Sequence, residues 1–328
     1  MPPPARRRLS EYVPGLVVTA LATLAAAYIA ERYGAPLTMM ALLIGLALNF
    51  LSADSRLDSG LALASRTLLR LSIVLLGTRV TFEQMGALGP ISFAALLVIV
   101  VVTVLVGLLI ARWLGSGSAF GTLAGGAVAI CGASAALAIA TLLGERRINQ
   151  AQLALVLVGI SGMSALTMVL YPILAHEFGL GDTEAGFLLG ASIHEVAHSL
   201  GAGYSFSPGA GEIATIVKMT RVALLAPALL VIGLALGRSG RAGGPGLPWF
   251  VIGFFIVAAI NSAGLFPAPV ASGARELATA LLACAVAATG IRSPMHTLLE
   301  GGLRPLLVII AASAAALALS VAAAMFLA

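Results

Sequence analysis

The residues best equipped for chemistry in this sequence lie in one ten-residue stretch, SIHEVAHSLG, at positions 192–201. His194, Glu195 and His198 follow the pattern H-E-x-x-H, which on a helix places both imidazoles on one face. In zinc proteases the two histidines bind the metal and the glutamate activates a water molecule. One hypothesis is therefore a zinc metalloprotease built on residues 194–198.

A protease of this kind needs a third protein ligand for its zinc ion. The extended pattern would place that ligand at position 204, which holds Tyr204. The three aspartates of the chain, Asp54, Asp58 and Asp182, all lie outside the cores of the apolar segments. We therefore expect no bound metal, no cofactor and no enzymatic activity, and keep an intramembrane metalloprotease as the alternative hypothesis.

The composition indicates a protein of the lipid bilayer. Of 328 residues, 60% are hydrophobic and 9% are charged, whereas soluble domains carry about 25% charged residues. The net charge of +5 does not indicate a nucleic-acid partner, because most basic residues flank apolar runs, where they orient a membrane protein. Cys131 and Cys284 both lie inside apolar segments and provide no disulfide framework.

Apolar runs divide the chain into eleven elements, and a membrane span needs about 20 apolar residues. The elements cover residues 14–31, 36–51, 60–78, 90–111, 119–143, 149–174, 184–203, 212–236, 247–264, 274–291 and 303–327. We predict an all-α polytopic protein with about 9–11 transmembrane helices. Residues 1–328 would form a single integral membrane transporter domain, with residues 1–13 as a short cytoplasmic N-terminus.

Two of these elements are rich in glycine and differ from the others. Elements 119–143 and 184–203 each contain the triplet Gly-Ala-Ser, at 132–134 and 190–192. Glycine-interrupted hydrophobic segments are typical of the broken helices that form the binding site of a transporter. We therefore predict that both elements are broken or re-entrant, and the sequence leaves open which of the two applies.

The distribution of basic residues predicts an orientation in the membrane. The arginines at 6–8 place the N-terminus in the cytoplasm. If the two glycine-rich elements do not cross in the simple way, the arginines at 146–147 also face the cytoplasm. The acidic connection at 177–182 then faces outward. This is the orientation expected in a bacterial inner membrane.

A faint internal repeat is present as well. Residues 59–89 align without a gap with residues 272–302, and Gly77/Gly290 and Arg79/Arg292 are among the seven identical pairs. In the predicted topology the two copies run in opposite directions, as in the inverted repeats of secondary transporters. Chance identity in a region rich in leucine and alanine is the other interpretation.

Five segments together carry a family resemblance. They are LLGTRVTF (75–82), GGAVAICGASAALAIA (125–140), GASIHEVAHSLGAG (190–203), IVKMTRVALLAPALL (216–230) and PWFVIGFFIVAAINS (248–262). The chain resembles the YeiH-type, UPF0324-like family of sulfate exporters, which is grouped with bile-acid and arsenite carriers. The resemblance implies secondary transport on a core of crossed, broken helices, with sulfate as the inferred substrate. The family pattern has Gln at the position of His198, so a single change creates the H-E-x-x-H pattern.

A small oxyanion substrate implies a set of hydrogen-bond donors and cations. Broken helices expose unpaired N–H groups at the positive end of a helix dipole, which is a ready anion site. The predicted substrate-binding residues are Gly132, Ser134, Gly190, Ser192, Lys218, Arg221 and Asn261. Each has an alternative role: close helix packing for the small residues, interfacial snorkelling for the cations, and helix capping for Asn261.

Glu195 and His194 are predicted to couple transport to protons. A carboxylate beside an anion site would repel the substrate unless it is protonated or paired, and intramembrane carboxyl and imidazole groups are typical of proton relays. The alternative is a static ion pair of Glu195 with Lys218 or Arg221. The substrate, the direction of transport, the coupling ion and a homo-oligomeric state all remain open.

Overall fold

The computed structural model describes residues 9–144, 146–235, 248–293 and 303–327. Within these residues all regular secondary structure is helical, which confirms the predicted fold class. The α-helices are α1 (Val13–Tyr33), α2 (Leu37–Ala47), α3 (Ser55–Leu63), α4 (Leu69–Leu76), α5 (Phe82–Ala87), α6 (Gly89–Trp113), α7 (Ser118–Ala129), α8 (Ala133–Leu143), α9 (Gln150–Glu177), α10 (Asp182–Ser192), α11 (Val196–Phe206), α12 (Pro208–Ala223), α13 (Leu225–Ala235), α14 (Trp249–Ser262), α15 (Ala268–Ile291) and α16 (Leu303–Leu327). A π-helical turn, Ala64–Leu68, joins α3 to α4.

Seven helical stretches are long and apolar enough to cross a bilayer, which requires about 20 residues. They are Val13–Tyr33, Ser55–Arg79, Gly89–Trp113, Ala151–Glu177, Pro208–Ala235, Ala268–Ile291 and Leu306–Phe326. Helices α2, α7, α8 and α14 are apolar but shorter. All eleven predicted elements coincide with helices, so the chain is a multi-pass membrane protein. The arginines at 6–8 and the end of the second repeat copy, 294–302, lie outside the described residues.

Both glycine-rich elements are broken, as predicted. The first separates into α7 and α8, and Gly132 at the break has a φ of 68°. A side chain is strained in that conformation, so glycine suits this position. The second separates into α10 and α11, and Ile193 and Glu195 between them have extended backbone. The glycine pattern therefore predicted both of these helix breaks correctly.

The helices pack as two groups. The core group consists of α6–α12 and α16, and its strongest pairings are α6 with α7 and α10 with α12. The flanking group consists of α1–α4, α14 and α15, in which α15 packs on both α2 and α4. The two groups meet mainly where α11 contacts α2 and α15. Both helix breaks lie in the core group and face this junction.

The two predicted repeat copies contact each other in a reciprocal way. Arg79, after α4, donates through Nη2 to Oγ1 of Thr279 at 2.7 Å, in the first half of α15. Arg292, after α15, donates through Nη1 to Oγ of Ser65 at 3.0 Å, before α4. The end of each helix therefore meets the beginning of the other. An inverted repeat would produce this exchange, and the repeat itself stays a prediction.

Candidate functional site

A cavity of about 410 Å³ lies between the two groups of helices, beside both breaks. Its basic lining residues are Arg66, Arg70 and Arg292, all from the flanking group. Its acidic lining residue is Glu195, from the core group. The hydroxyls of Ser134 and Ser161 also line it. The cavity is therefore positively charged on one wall and carries one carboxylate on the other.

The N-terminal ends of two half-helices reach this cavity. Ala133 and Ser134 of α8 line it, together with Val196 and Ala197 of α11. The first hydrogen bonds inside these helices are made by the N–H groups of Ala136 and Ser199, so the preceding N–H groups have no partner within their helix. Each such end carries partial positive charge. Two helix ends thus add to the attraction for an anion.

The three arginines reach the cavity from two neighbouring helices. Arg66 lies in the π-helical turn, and Arg70 lies one turn further along, with its guanidinium 5.9 Å above the ring of Phe250. Arg292 follows α15, and its Nη2 atom lies 3.6 Å from Oδ1 of Asp58. The packing of α15 against α4 brings Arg292 to Asp58.

Glu195 stands where the two breaks cross. Its Oε1 accepts a hydrogen bond from Oγ of Ser161 at 3.2 Å, and its backbone N–H donates to Oγ of Ser164 at 3.2 Å. Its Oε2 lies 3.1 Å from Nδ1 of the buried His198. A Cβ atom on Gly132 would lie 2.7 Å from Cγ of Glu195. Glycine at position 132 therefore allows the first break to touch the carboxyl side chain of the second.

His194 points away from the cavity. It is fully buried, and its Nε2 atom lies 2.8 Å from Oγ of Ser313 in α16. The hydroxyl of Ser313 donates to the carbonyl of Ile309 at 2.7 Å. Because a hydroxyl has one hydrogen to donate, Nε2 of His194 must be the donor in the contact with Ser313. Its predicted part in proton transfer stays a prediction.

The H-E-x-x-H residues do not share one helix. His194 and Glu195 precede α11, which begins at Val196, so the helical spacing assumed for a zinc pair is wrong. His194 contacts Ser313 while His198 lies beside Glu195. Among the described residues, no group of three or more His, Cys, Asp or Glu side chains is placed to hold a metal ion. The break in the helix removes the geometric basis of the protease hypothesis.

Lys218 and Arg221 are fully buried behind the breaks. Arg221 donates to the carbonyls of Val128 and Ala129 at the end of α7, and to three carbonyls at the end of α10. Lys218 donates to the carbonyls of residues 193 and 194. The alternative ion pair of Glu195 with either cation is not formed in the described chain. Both cations bind backbone, and their predicted contact with substrate stays a prediction.

Three other predicted site residues lie away from the cavity lining. A Cβ atom on Gly190 would lie 2.8 Å from Cβ of Val217, so Gly190 allows α10 and α12 to pack closely. Ser192 is buried and donates to the carbonyl of Leu188 at 2.6 Å. Asn261 donates to the carbonyl of Val80 at 3.1 Å and joins α14 to the chain after α4. Of the predicted site residues, Ser134 and Glu195 line the cavity, and Gly132 lies in contact with Glu195.

Sequence reasoning missed the arginine wall of the cavity. The predicted substrate-binding residues include none of Arg66, Arg70 and Arg292. A signal was present, because two arginines four residues apart inside an apolar span are expected to face a protein cavity. The sequence does not indicate that α15 packs on α4 and brings Arg292 beside these two arginines.

Comparison with known proteins identifies the family. A family model described as "Conserved hypothetical protein 698" matches residues 14–309. The UPF0324 membrane protein TauZ of Paracoccus denitrificans is 43% identical over 315 residues, covering 94% of this chain and 93% of that protein. The chain belongs to the UPF0324 family.

Other UPF0324 proteins are similar over most of their length. The UPF0324 membrane protein CT0845 of Chlorobaculum tepidum is 37% identical over 313 residues, covering 94% of this chain and 87% of the relative. The UPF0324 membrane protein RB0971 of Rhizobium meliloti is 40% identical over 300 residues, covering 90% and 87%. No solved structure matches the chain. The family resemblance inferred from the five sequence segments is confirmed.

Proposed function

We propose that this UPF0324 protein is a secondary transporter that carries a small oxyanion, with sulfate as the first candidate, through the cavity between its two helix groups. The observation that carries the proposal is the meeting of two half-helix N-termini and three arginines in one cavity. Half-helix N-termini that point at an anionic substrate are typical of transporters with broken helices. The sequence contains no phosphate-binding loop for ATP, so an ion gradient would supply the energy.

The charge of the cavity supports a dianion as substrate. Arg66, Arg70 and Arg292 contribute three positive charges, and Glu195 and Asp58 contribute two negative ones, which leaves an excess of one positive charge. The two helix N-termini add about half a charge each. A dianion such as sulfate would bring this set close to neutrality, whereas a cation would be repelled.

Contacts between the groups at the other end of α4 support alternating access. There Arg79 lies 5.3 Å above the ring of Tyr204, and Nε2 of Gln84 donates to Oε2 of Glu212 at 3.0 Å. The first contact joins the flanking and core groups, and the second joins α5, which follows α4, to the core group. A carrier would exchange these contacts for new ones when the cavity opens to the opposite side.

Glu195 is the proposed proton-coupling group. When its carboxyl is protonated, the cavity gains one unit of positive charge and the anion enters more favourably. Loss of that proton then favours release of the anion. Among the two neighbouring histidines, His198 is the better second proton group, because it contacts Glu195 while His194 contacts Ser313. We place the protein in a bacterial inner membrane with a cytoplasmic N-terminus.

Flux of radiolabelled sulfate into proteoliposomes, with and without a pH gradient, tests the proposal. We expect uptake above that of empty liposomes, and we expect Arg70→Ala to weaken apparent sulfate affinity roughly tenfold because a charge-assisted contact is lost. Arg112→Ala is the matched control, since Arg112 lies at the end of α6 outside the cavity lining. Unchanged uptake in Arg70→Ala would contradict the assignment of the cavity. Near-stoichiometric zinc that disappears in His194→Ala would favour the protease instead.

A further inference from the structure

The backbone carbonyls at the end of α7 have a complete set of donors. The last four carbonyls of a helix lack partners within it. Those of Gly126 and Ala127 accept from the N–H groups of Ile130 and Gly132. Those of Val128 and Ala129 accept from the guanidinium of Arg221, at distances between 2.6 and 2.9 Å. The carbonyls that a break in a membrane helix would leave without donors therefore accept hydrogen bonds from a cation.

The end of α10 is closed in the same way. The carbonyls of Gly190, Ala191 and Ile193 accept from Nη1 of Arg221 at 3.1, 2.6 and 3.1 Å. The carbonyls of Ile193 and His194 accept from Nζ of Lys218, each at 2.5 Å. Both cations project from α12 three residues apart and are fully buried. Together they gather the carbonyls of residues 128, 129, 190, 191, 193 and 194.

Such a cluster of carbonyls is a cation site by its chemistry. In transporters with broken helices, unwound carbonyls and the C-terminal ends of half-helices coordinate Na⁺, an exchangeable ion whose gradient drives transport. Negative partial charge from two helix C-termini converges here, and it would be costly to bury without a compensating positive charge. In this protein that positive charge comes from two side chains, those of Lys218 and Arg221.

We propose that Lys218 and Arg221 are resident cations that occupy the place where a carrier with two broken helices would bind exchangeable Na⁺. Because these charges cannot leave, the carbonyl cluster offers no site for an alkali ion, and transport does not draw on a Na⁺ gradient. The two cations also join both breaks to α12, so the C-terminal ends of α7 and α10 move with α12 as one body. The statement about transport rests on the proposed function, whereas the carbonyl site does not.

Thermal unfolding of the detergent-purified full-length chain tests the site without any substrate. We expect the melting temperature of Arg221→Ala to fall by roughly 10 °C in choline buffer, because its loss leaves buried backbone carbonyls without a donor. Millimolar guanidinium or Na⁺ should recover a large part of that loss in the variant and leave the unmodified protein unchanged. Thr220→Ala is the matched control, because the Thr220 hydroxyl bonds within its own helix.

Two results would overturn the proposal. The first is a failure of the variant to behave as expected: Arg221→Ala melts at the same temperature as Thr220→Ala, or neither guanidinium nor Na⁺ raises its lowered melting temperature. The second is an effect of Na⁺ on the unmodified protein: Na⁺ raises its melting temperature, or its sulfate flux requires Na⁺. These measurements on the unmodified protein decide the matter if Arg221→Ala does not fold. Absence of sulfate flux under all conditions would count against the proposed function alone, because the melting experiment stands independently of it.

Discussion

The carboxylate of Glu195 and the imidazole of His198 lie 3.1 Å apart, between Oε2 and Nδ1, at the point where the two helix breaks cross. Glu195 lines the cavity, and His198 is buried behind it with 2% of its surface exposed. This pair is the place in the described chain where a proton could move between an anion cavity and the protein interior. Its two members can be altered separately.

Glu195→Gln should bind sulfate and lose the response of flux to a pH gradient. The amide keeps the size of the side chain and the contact with Ser161, but it cannot take or release a proton. Sulfate uptake into proteoliposomes with equal and unequal pH on the two sides measures this. Glu177→Gln, at the end of α9 and exposed, is the matched control. A normal pH response in Glu195→Gln would leave Glu195 a structural partner and refute proton coupling through it.

His198→Gln should preserve uptake and shift its pH dependence. The amide of glutamine keeps a polar group beside Glu195, but the second titratable group of the pair is lost. The family resemblance implies Gln at this position in related proteins, so we expect the variant to fold. Uptake measured from about pH 5 to 8 checks this. An identical profile in His198→Gln would show that His198 takes no part in the proton step.

Gly132→Ala should destabilise the protein by about 2–5 kcal/mol, because a side chain is strained at the positive φ of this position and would clash with Glu195. Chemical unfolding of the detergent-purified protein measures the loss. Gly273→Ala is the matched control, since Gly273 lies in α15 and an added Cβ would meet no heavy atom within 4 Å beyond its own turn of helix. That control should be neutral or slightly more stable. Equal stability of the two variants would contradict the described geometry of the break.

The sequence predicted the positions of the irregular backbone better than the contacts of the side chains. Glycine runs and apolar lengths are local signals, and they located both breaks and all eleven apolar elements. The targets of Arg221 are carbonyls as far as 93 positions away in the chain, and they become acceptors only once both helices have broken. The arginine wall likewise depends on how α4 and α15 pack. Local periodicity contains no information about such convergence.

Cys131 offers a direct test of occupancy of the cavity. It lines the cavity beside α8, and Cys284 is the other cysteine of the sequence, so Cys284→Ser leaves a single reporter thiol. We expect a small charged thiol reagent to modify Cys131 slowly, and sulfate to slow that modification further by filling the cavity. Chloride at equal ionic strength is the control for screening. Modification at the same rate with sulfate and with chloride would place the anion elsewhere.

The orientation of the chain can be tested at two connections on either side of α9. Positive residues at 146–147 are expected in the cytoplasm, and the acidic connection at 177–182 is expected outside. Helix α9, Gln150–Glu177, is long enough to separate these connections by a full bilayer. In a cysteine-free background, Arg147→Cys and Leu180→Cys should therefore react with an impermeant reagent from opposite sides of the membrane. Reaction of both from the same side would refute the predicted orientation.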